Sequence, residues 1–242
     1  MQEWFRQIAE DFSQTFIEED RWMQFLKGLG ITLEVAFLAL VLGLVIGIII
    51  AMIRSAHDQR RSQKKGPGTV ILNIANGICV VYLTVIRGTP MMVQLLIMYF
   101  VIFASSQKQV LIAVLAFGIN SGAYVAEIVR SGIMSVDAGQ MEAGRSLGLN
   151  YRQTMRSIVI PQAFKNALPA LGNEMITLLK DTSLVTVIGL KDLTKTAMTV
   201  QSRTYEALMP FVGIAVVYLV IVMILAKVLS IVERRLRTGD KR

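Results

Sequence analysis

Hydrophobic positions in this chain do not alternate with polar ones; they form long blocks separated by short, mostly basic segments. A helix that crosses a bilayer needs about 20 predominantly apolar residues. The first block of that length covers 29–53, interrupted only by Glu34 near its start. The second, 69–105, is broken in the middle by Arg87, Gly88, Thr89 and Pro90. Further blocks cover about 110–133, 167–190 and 208–231. The two halves of the second block, 69–86 and 91–105, read either as two short spans or as one long bent helix.

Charge between the blocks chooses between these readings. Arg54, Arg60, Arg61, Lys64 and Lys65 follow the first span. Arg130, Arg145, Arg152, Arg156 and Lys165 lie between the third and fourth, and Arg234, Arg235, Arg237, Lys241 and Arg242 form the tail. The connector near 105–109 holds only Lys108, and that at 191–207 is of mixed charge. Counting 69–105 as one crossing puts all three basic clusters on the cytoplasmic side, as the positive-inside rule requires. The expected fold is therefore an all-α integral membrane protein with five transmembrane helices. Its N-terminus is outside, its C-terminus cytoplasmic, and a long cytoplasmic loop joins helices 3 and 4. Pro90 lacks a backbone donor and disfavours helical geometry at Thr89, so the break reads as a kink that lines a cavity or packs on neighbouring helices.

Composition agrees: 54% of the 242 residues are hydrophobic and 17% charged, against about 25% charged in soluble domains. The net charge of +8 does not indicate nucleic acid, because the basic residues are parcelled between apolar blocks. The only cysteine, Cys79, lies in an apolar run and reads as a buried thiol. The only histidine, His57, has no ligand-type neighbour, so no metal site and no catalytic cluster is expected. Residues 1–27 are acidic, with Trp4, Phe5, Phe12, Phe16 and Trp22 among the charges. That is the reverse of a signal peptide and fits an amphipathic interfacial segment outside the membrane. Residues 28–233 form the membrane domain and 234–242 a basic cytoplasmic tail.

The loop at about 130–167 is too long for a passive connector. It is helix-forming around Met141, Ala143 and Leu147, is redirected at Gly148, and forms a second helical segment from Tyr151 that halts near Pro161. Two short helices around a glycine corner suit docking on a partner. Glu142, Ala143 and Gly144, then Gly148, then Ile158 to Pro161 resemble the loop signature of bacterial binding-protein-dependent ABC importer permeases, in which Gly144 is an alanine and Ile160 a leucine. Residues 87–94 (RGTPMMVQ), 120–127 (NSGAYVAE) and 173–183 (NEMITLLKDTS) are similar to blocks of the polar-amino-acid members, the histidine, glutamine and arginine type.

The resemblance implies a permease of the bacterial cytoplasmic membrane, paired with itself or a sister chain and supplied by an extracytoplasmic amino-acid-binding protein. It also implies a cytoplasmic ATPase dimer that binds the ATP and Mg, docked through Glu142, Ala143, Gly144, Leu147, Gly148, Leu149, Ile158 and Pro161. Independently, the sequence has no Gly-x-x-x-x-Gly-Lys-Ser/Thr phosphate loop. Energy comes from another chain, or the protein is not ATP-driven and works alone as an ion-coupled transporter or channel.

Charged groups inside a bilayer are costly and are candidates for function. Lys180 and Asp181, beside Thr182, fall near the middle of the fourth span. Adjacent helical residues point about 100° apart, so these two charges serve different faces: a substrate path, or ion pairs with Glu127 or Arg87. Asn120, Tyr124 and Glu127 share a face of the third span. With Arg87 they offer amide, carboxylate and cation complements to an amino acid, or hydrogen bonds between helices.

Overall fold

A computed structural model describes residues 1–60 and 67–238. Arg61, Lys64, Lys65, Lys241 and Arg242, which carry part of the charge pattern, lie outside the described residues. Every regular element among the described residues is helical.

The N-terminal segment forms α1 (Gln2–Phe12), extended by a π-helical turn over Ser13–Ile17. Met1, Trp4, Phe5 and Phe12 are exposed on it, at spacings that place them on one face. The segment is not wholly superficial: Thr15 is fully buried, and Phe16 packs on Phe25 with ring centroids 5.2 Å apart. A sharp turn follows, with φ of 52° at both Glu19 and Asp20. Arg21 holds it. Although polar, this side chain is buried, donates to the Gln14 carbonyl and pairs with Glu19 Oε2 at 3.2 Å.

The first apolar block lies within a much longer helix than expected, α2 (Arg21–Arg60). Its 40 residues rise about 60 Å, roughly twice the hydrocarbon thickness of a bilayer. The second block forms α3 (Pro67–Gly88) and α4 (Met91–Ile97), the latter prolonged by a π-helical turn to Ile102. The third forms α5 (Gln109–Met134). The fourth forms α8 (Ile160–Asp181) and then 3-10 turns over Thr182–Ile188, so the α-helix ends short of the expected limit at 190. The fifth forms α10 (Leu208–Thr238). The connector 191–207 is itself helical in α9 (Leu193–Thr204). Buried Asp192 caps α9 by accepting from the Lys195 N–H at 2.8 Å. α9 packs on α2 and α10 through Leu193, Ala197, Val200, Phe25 and Ile214.

α5 is the central helix. Its Ala113, Ala116 and Phe117 are buried against Val35 and Ala39 of α2, Leu95 of α4 and Leu178 of α8. Glycines bring α2 and α5 close together. A Cβ on Gly43 would lie 3.0 Å from Ser121 Cβ, and one on Gly118 2.6 Å from Leu42 Cδ2. Gly122 meets Ile46, and Gly47 meets Val125. Residue numbers rise together on both helices, so α2 and α5 run parallel.

The directions of the other helices follow from similar matches. Ser121 meets Glu174, and Gly132 meets Ala163 and Ala167, so α8 runs antiparallel to α5. Leu168 and Pro169 share a pocket with Glu233 and Leu236, and Gly172 meets Leu229, so α10 opposes α8. α3 and α4 do not pack along one another. Together they follow α5 in the reverse direction: Arg87 reaches Tyr124, Gln94 reaches Asn120, and Tyr99 reaches Gln109. The segment thus passes α5 once, bent at Thr89 and Pro90.

Among the described residues, four helical stretches are long and apolar enough to cross a membrane: one within Glu3–Asp58, and Gly68–Gly88, Gln109–Met134 and Leu208–Leu236. α8 is not among them, and Met91–Ile102 is a shorter apolar helix.

Gly122→Val tests the close contact of α2 and α5. Its added Cβ would sit 2.8 Å from Ile46 Cγ2 and 3.1 Å from the Tyr82 hydroxyl. Overpacking of this kind is expected to remove about 1–3 kcal/mol, read as a lower thermal unfolding midpoint in detergent. An unchanged midpoint would show that the contact is not tight.

Candidate functional site

The 130–167 region is a stiff helical corner. α5 continues to Met134, and Asp137 caps α6 (Ala138–Ser146) by accepting from the Gly139 N–H at 2.6 Å. Gly148, at φ +80°, ends α6. Its N–H donates to the Arg145 carbonyl at 2.9 Å, and the Leu149 N–H donates to Gly144 at 3.1 Å. This paired termination relies on a left-handed residue, which glycine adopts without a Cβ penalty.

Asn150 then opens α7 (Tyr151–Thr154) with a reciprocal cap. Its side chain accepts from the Gln153 N–H at 3.0 Å, while the Gln153 side chain accepts from the Asn150 N–H at 2.8 Å. Such a pairing satisfies two otherwise orphaned donors.

The second helical segment does not halt at Pro161. It continues through a π-helical turn over Met155–Val159 into α8, with Pro161 in the first turn of that helix. The widened turn relieves the clash and missing donor that proline would impose on a regular helix.

Gly144 is buried, and Thr154 occupies the space beside it: a Cβ there would lie 2.5 Å from Thr154 Cγ2. Glu142, Ala143, Leu147, Gly148 and Pro161 are exposed, while Leu149 and Ile158 are half-buried. The expected docking residues therefore cluster on and around one corner.

The intramembrane candidates separate into three groups. The first surrounds the break between α3 and α4. Gln94 donates to the carbonyls of Ile86 at 2.7 Å and Thr89 at 3.1 Å and to Thr89 Oγ1 at 2.7 Å, capping groups freed by Pro90. Its own oxygen accepts from Asn120 Nδ2 at 2.9 Å. One turn on, the Arg87 guanidinium lies 5.6 Å from the centre of the Tyr124 ring, a cation–π distance.

The second group is on α8. Asn173, Thr177 and Lys180 are all exposed, and their spacings place them along one face; Asn166, at the corner end of the same face, donates to Ser135 Oγ at 2.9 Å. Half-buried Glu174 and Asp181, seven residues apart, flank that face. Ser121, fully enclosed by α5 and its neighbours, donates to Glu174 Oε1 at 2.8 Å. Thr182 is buried, donates to the Leu179 carbonyl at 2.6 Å, and belongs to the packing rather than to the exposed stripe.

Glu127 forms the third group, with Arg54 at 2.7 Å and Arg130 at 3.7 Å. It is not joined to Lys180, and Arg87 sits over Tyr124 instead of meeting Asp181. Gln94 and Glu174 are site residues that the sequence pattern does not single out, although each lies in a stretch that carries the family resemblance. The signal available for each was a strongly polar side chain inside an otherwise apolar block.

Long apolar helices, a polar helix face among them and a rigid corner at one end define a polytopic membrane subunit of the transport type. The chain belongs to the family of binding-protein-dependent transport system inner membrane components, whose family model matches residues 70–238. It is 38% identical over 218 residues to the arginine transport system permease protein ArtQ of Bacillus subtilis (strain 168), covering 89% of this chain and 93% of that protein. It is 40% identical over 168 residues to the glutamine transport system permease protein GlnP of Escherichia coli (strain K12), covering 68% of this chain and 77% of that one. Among solved structures, a chain from an amino acid ABC transporter crystallised with histidines matches at 42% identity and a TM-score of 0.77, covering 88% of this chain and 94% of that chain. The MetNI methionine ABC transporter matches at 18% identity with a TM-score of 0.75, a likeness of fold alone.

The Gly144–Thr154 contact has a direct test. Gly144→Ala is expected to destabilise the corner by about 1–3 kcal/mol, and Thr154→Ala in the same chain to restore it. Faster proteolysis of the corner in the single variant, reversed in the double, is the readout. Equal rates in both variants would refute the contact.

Proposed function

We propose that this chain is the permease subunit of an ATP-driven importer of polar amino acids in a bacterial cytoplasmic membrane. It pairs with a second permease chain, receives substrate from an extracytoplasmic binding protein and docks two cytoplasmic ATPase subunits that bind ATP and Mg. The chain crosses five times, with its N-terminus outside. The parallel run of α2 and α5, separated by the single bent pass of α3 and α4, supports that count.

The polar face of α8 carries the reading. An exposed amide, a hydroxyl and a cation at the depth of apolar helices are tolerated only against water, ligand or protein. Opposed by the half-buried carboxylates Glu174 and Asp181, this face complements a solute that bears both an ammonium and a carboxylate. Relatives named for arginine and glutamine transport support the same substrate class. The corner at Gly148 supplies the docking surface, and alternating access follows when ATPase closure moves it.

The exposed apolar face of α1, locked to α2 by Arg21, lies on the outer leaflet. Trp4 fluorescence, measured in a Trp22→Phe background, is expected to be quenched by brominated lipids. No quenching would remove α1 from the membrane surface.

The deciding measurement is ATP hydrolysis in proteoliposomes containing this chain, its ATPase and its binding protein, tested across a panel of amino acids. One substrate class is expected to stimulate hydrolysis. Glu174→Gln, which keeps the Ser121 contact but loses the charge, should raise the half-saturating concentration about tenfold or more. Gly148→Val, strained at positive φ but without a steric neighbour within 4 Å, should weaken ATPase docking instead. Solute movement by the chain alone down an ion gradient would overturn the importer reading in favour of a self-sufficient transporter.

A further inference from the structure

The ion cluster at one end of the α2–α5 pair is separate from the polar face of α8. Glu127 accepts from Arg54 Nη1 through Oε1 at 2.7 Å, and its Oε2 lies 3.7 Å from Arg130 Nη2. Arg130 Nη1 in turn reaches Asp58 Oδ2 at 3.4 Å, and His57 Nδ1 lies 3.6 Å from Asp58 Oδ1. Side chains of Arg54, Glu127 and Arg130 are between 21% and 25% exposed, so solvent screens them less than a surface pair. One carboxylate thus joins two helices, one oxygen to each guanidinium.

Its place in the chain matters. Glu127 lies just beyond the glycine-mediated contact of Gly47 with Val125, and α5 continues only to Met134 before the corner opens at Asp137. Where the glycine contact ends, the ion cluster continues the attachment of α2 to α5 toward the corner. At the same end, Gly132 packs against Ala163 and Ala167 of α8.

We infer that Glu127 is a positioning residue for energy coupling: it clamps Arg54 of α2 to Arg130 of α5, so that the two helices respond as one body to displacement of the cytoplasmic corner. This rests on the permease reading and removes Glu127 from the substrate path, where its face of α5 first placed it. Without Glu127 the ATPase still docks and substrate still binds, but the ends of α2 and α5 beyond the glycine contact, left with the Arg130–Asp58 pair, yield against each other when the corner is displaced, and part of the motion is lost.

The test compares amino acid transported per ATP hydrolysed in the full reconstituted complex for wild type, Glu127→Gln, Arg54→Gln, Arg54→Lys, and the exchanged pair Arg54→Glu with Glu127→Arg. Glu127→Gln and Arg54→Gln are expected to lower this ratio about fivefold at an unchanged half-saturating substrate concentration. Arg54→Lys, and in part the exchanged pair, should restore it. A wild-type ratio in both neutral variants would overturn the inference. So would a raised half-saturating concentration at an unchanged ratio, which would return Glu127 to the substrate path. Failure of the neutral variants to co-purify with the ATPase, when the exchanged pair fails equally, would also overturn it by making the cluster a requirement of assembly. Absence of substrate-stimulated hydrolysis in the wild type would instead defeat the permease reading itself.

Discussion

The parallel contact between α2 and α5 is the constraint on which the remaining geometry rests. Two helices approach this closely only where one of them offers no side chain, and here the glycines alternate: Gly43 and Gly47 on α2, Gly118 and Gly122 on α5. Within a bilayer, apolar burial gives little drive for helices to associate, because lipid is as apolar as a leucine side chain. Close van der Waals packing and interhelical hydrogen bonds must do that instead. The small-residue contact brings Ser121 to the junction of α2, α5 and α8, and there it donates to Glu174. A bulkier α2–α5 interface would displace this hydroxyl and leave the carboxylate among apolar neighbours without its donor. The packing of the centre and the polarity of the proposed path are thus one arrangement.

α8 has the opposite character. Its neighbours expose leucine, isoleucine and valine, as lipid-facing helices do, whereas its own exposed side includes Asn166, Asn173, Thr177 and Lys180. That composition keeps it out of the set of helices apolar enough to span by themselves. A helix of this kind is stable at membrane depth only with one side against protein and the other against something polar. Here the protein side is supplied by Ala163, Ala167 and Gly172, small residues that admit α5 and α10. Small apolar residues inward and polar residues outward reverse the pattern of a lipid-facing helix, as a helix lining a hydrated path requires.

Much of this was legible in the sequence where the signal was local or additive. The apolar blocks located the long helices, and the Pro90 break located the bend of the second. Gly148 marked the corner because a positive φ leaves few alternatives to glycine. Pairing between distant segments was not legible. Arg21 falls in a largely acidic segment, yet it is buried at the turn into α2; nothing in its neighbourhood specifies that the Gln14 carbonyl will meet it. Glu127 shares a helical face with Asn120 and Tyr124, but its partner Arg54 stands 73 positions away, and helical periodicity carries no information about that distance. Helix α9 was hidden because most of its residues are polar and its apolar face is short. Pro161 misled for a different reason: proline normally stops a helix, and the π-helical turn that accommodates it has no clear sequence signature.

That continuity through Pro161 has a mechanical consequence for the proposed function. Had the helix ended there, motion at the corner would reach the membrane through a flexible link and be lost in it. Instead, residues 151–181 form an unbroken helical run from the cap at Asn150 to Asp181, about 45 Å at the usual rise per residue. One end carries the reciprocal cap and the Gly144–Thr154 contact, which fix α7 to α6. The other carries Glu174 and Asp181. A push on α6 is therefore delivered along α8 itself to the carboxylates that face the proposed substrate. Pro169, inside α8, removes one hydrogen bond of that rod, and the π-helical turn is a second weak point, since its hydrogen bonding is poorer than an α-helix's. It lies at Met155–Val159, outside the fourth apolar block, so any bending there leaves the relative positions of Glu174, Asp181 and Ser121 undisturbed.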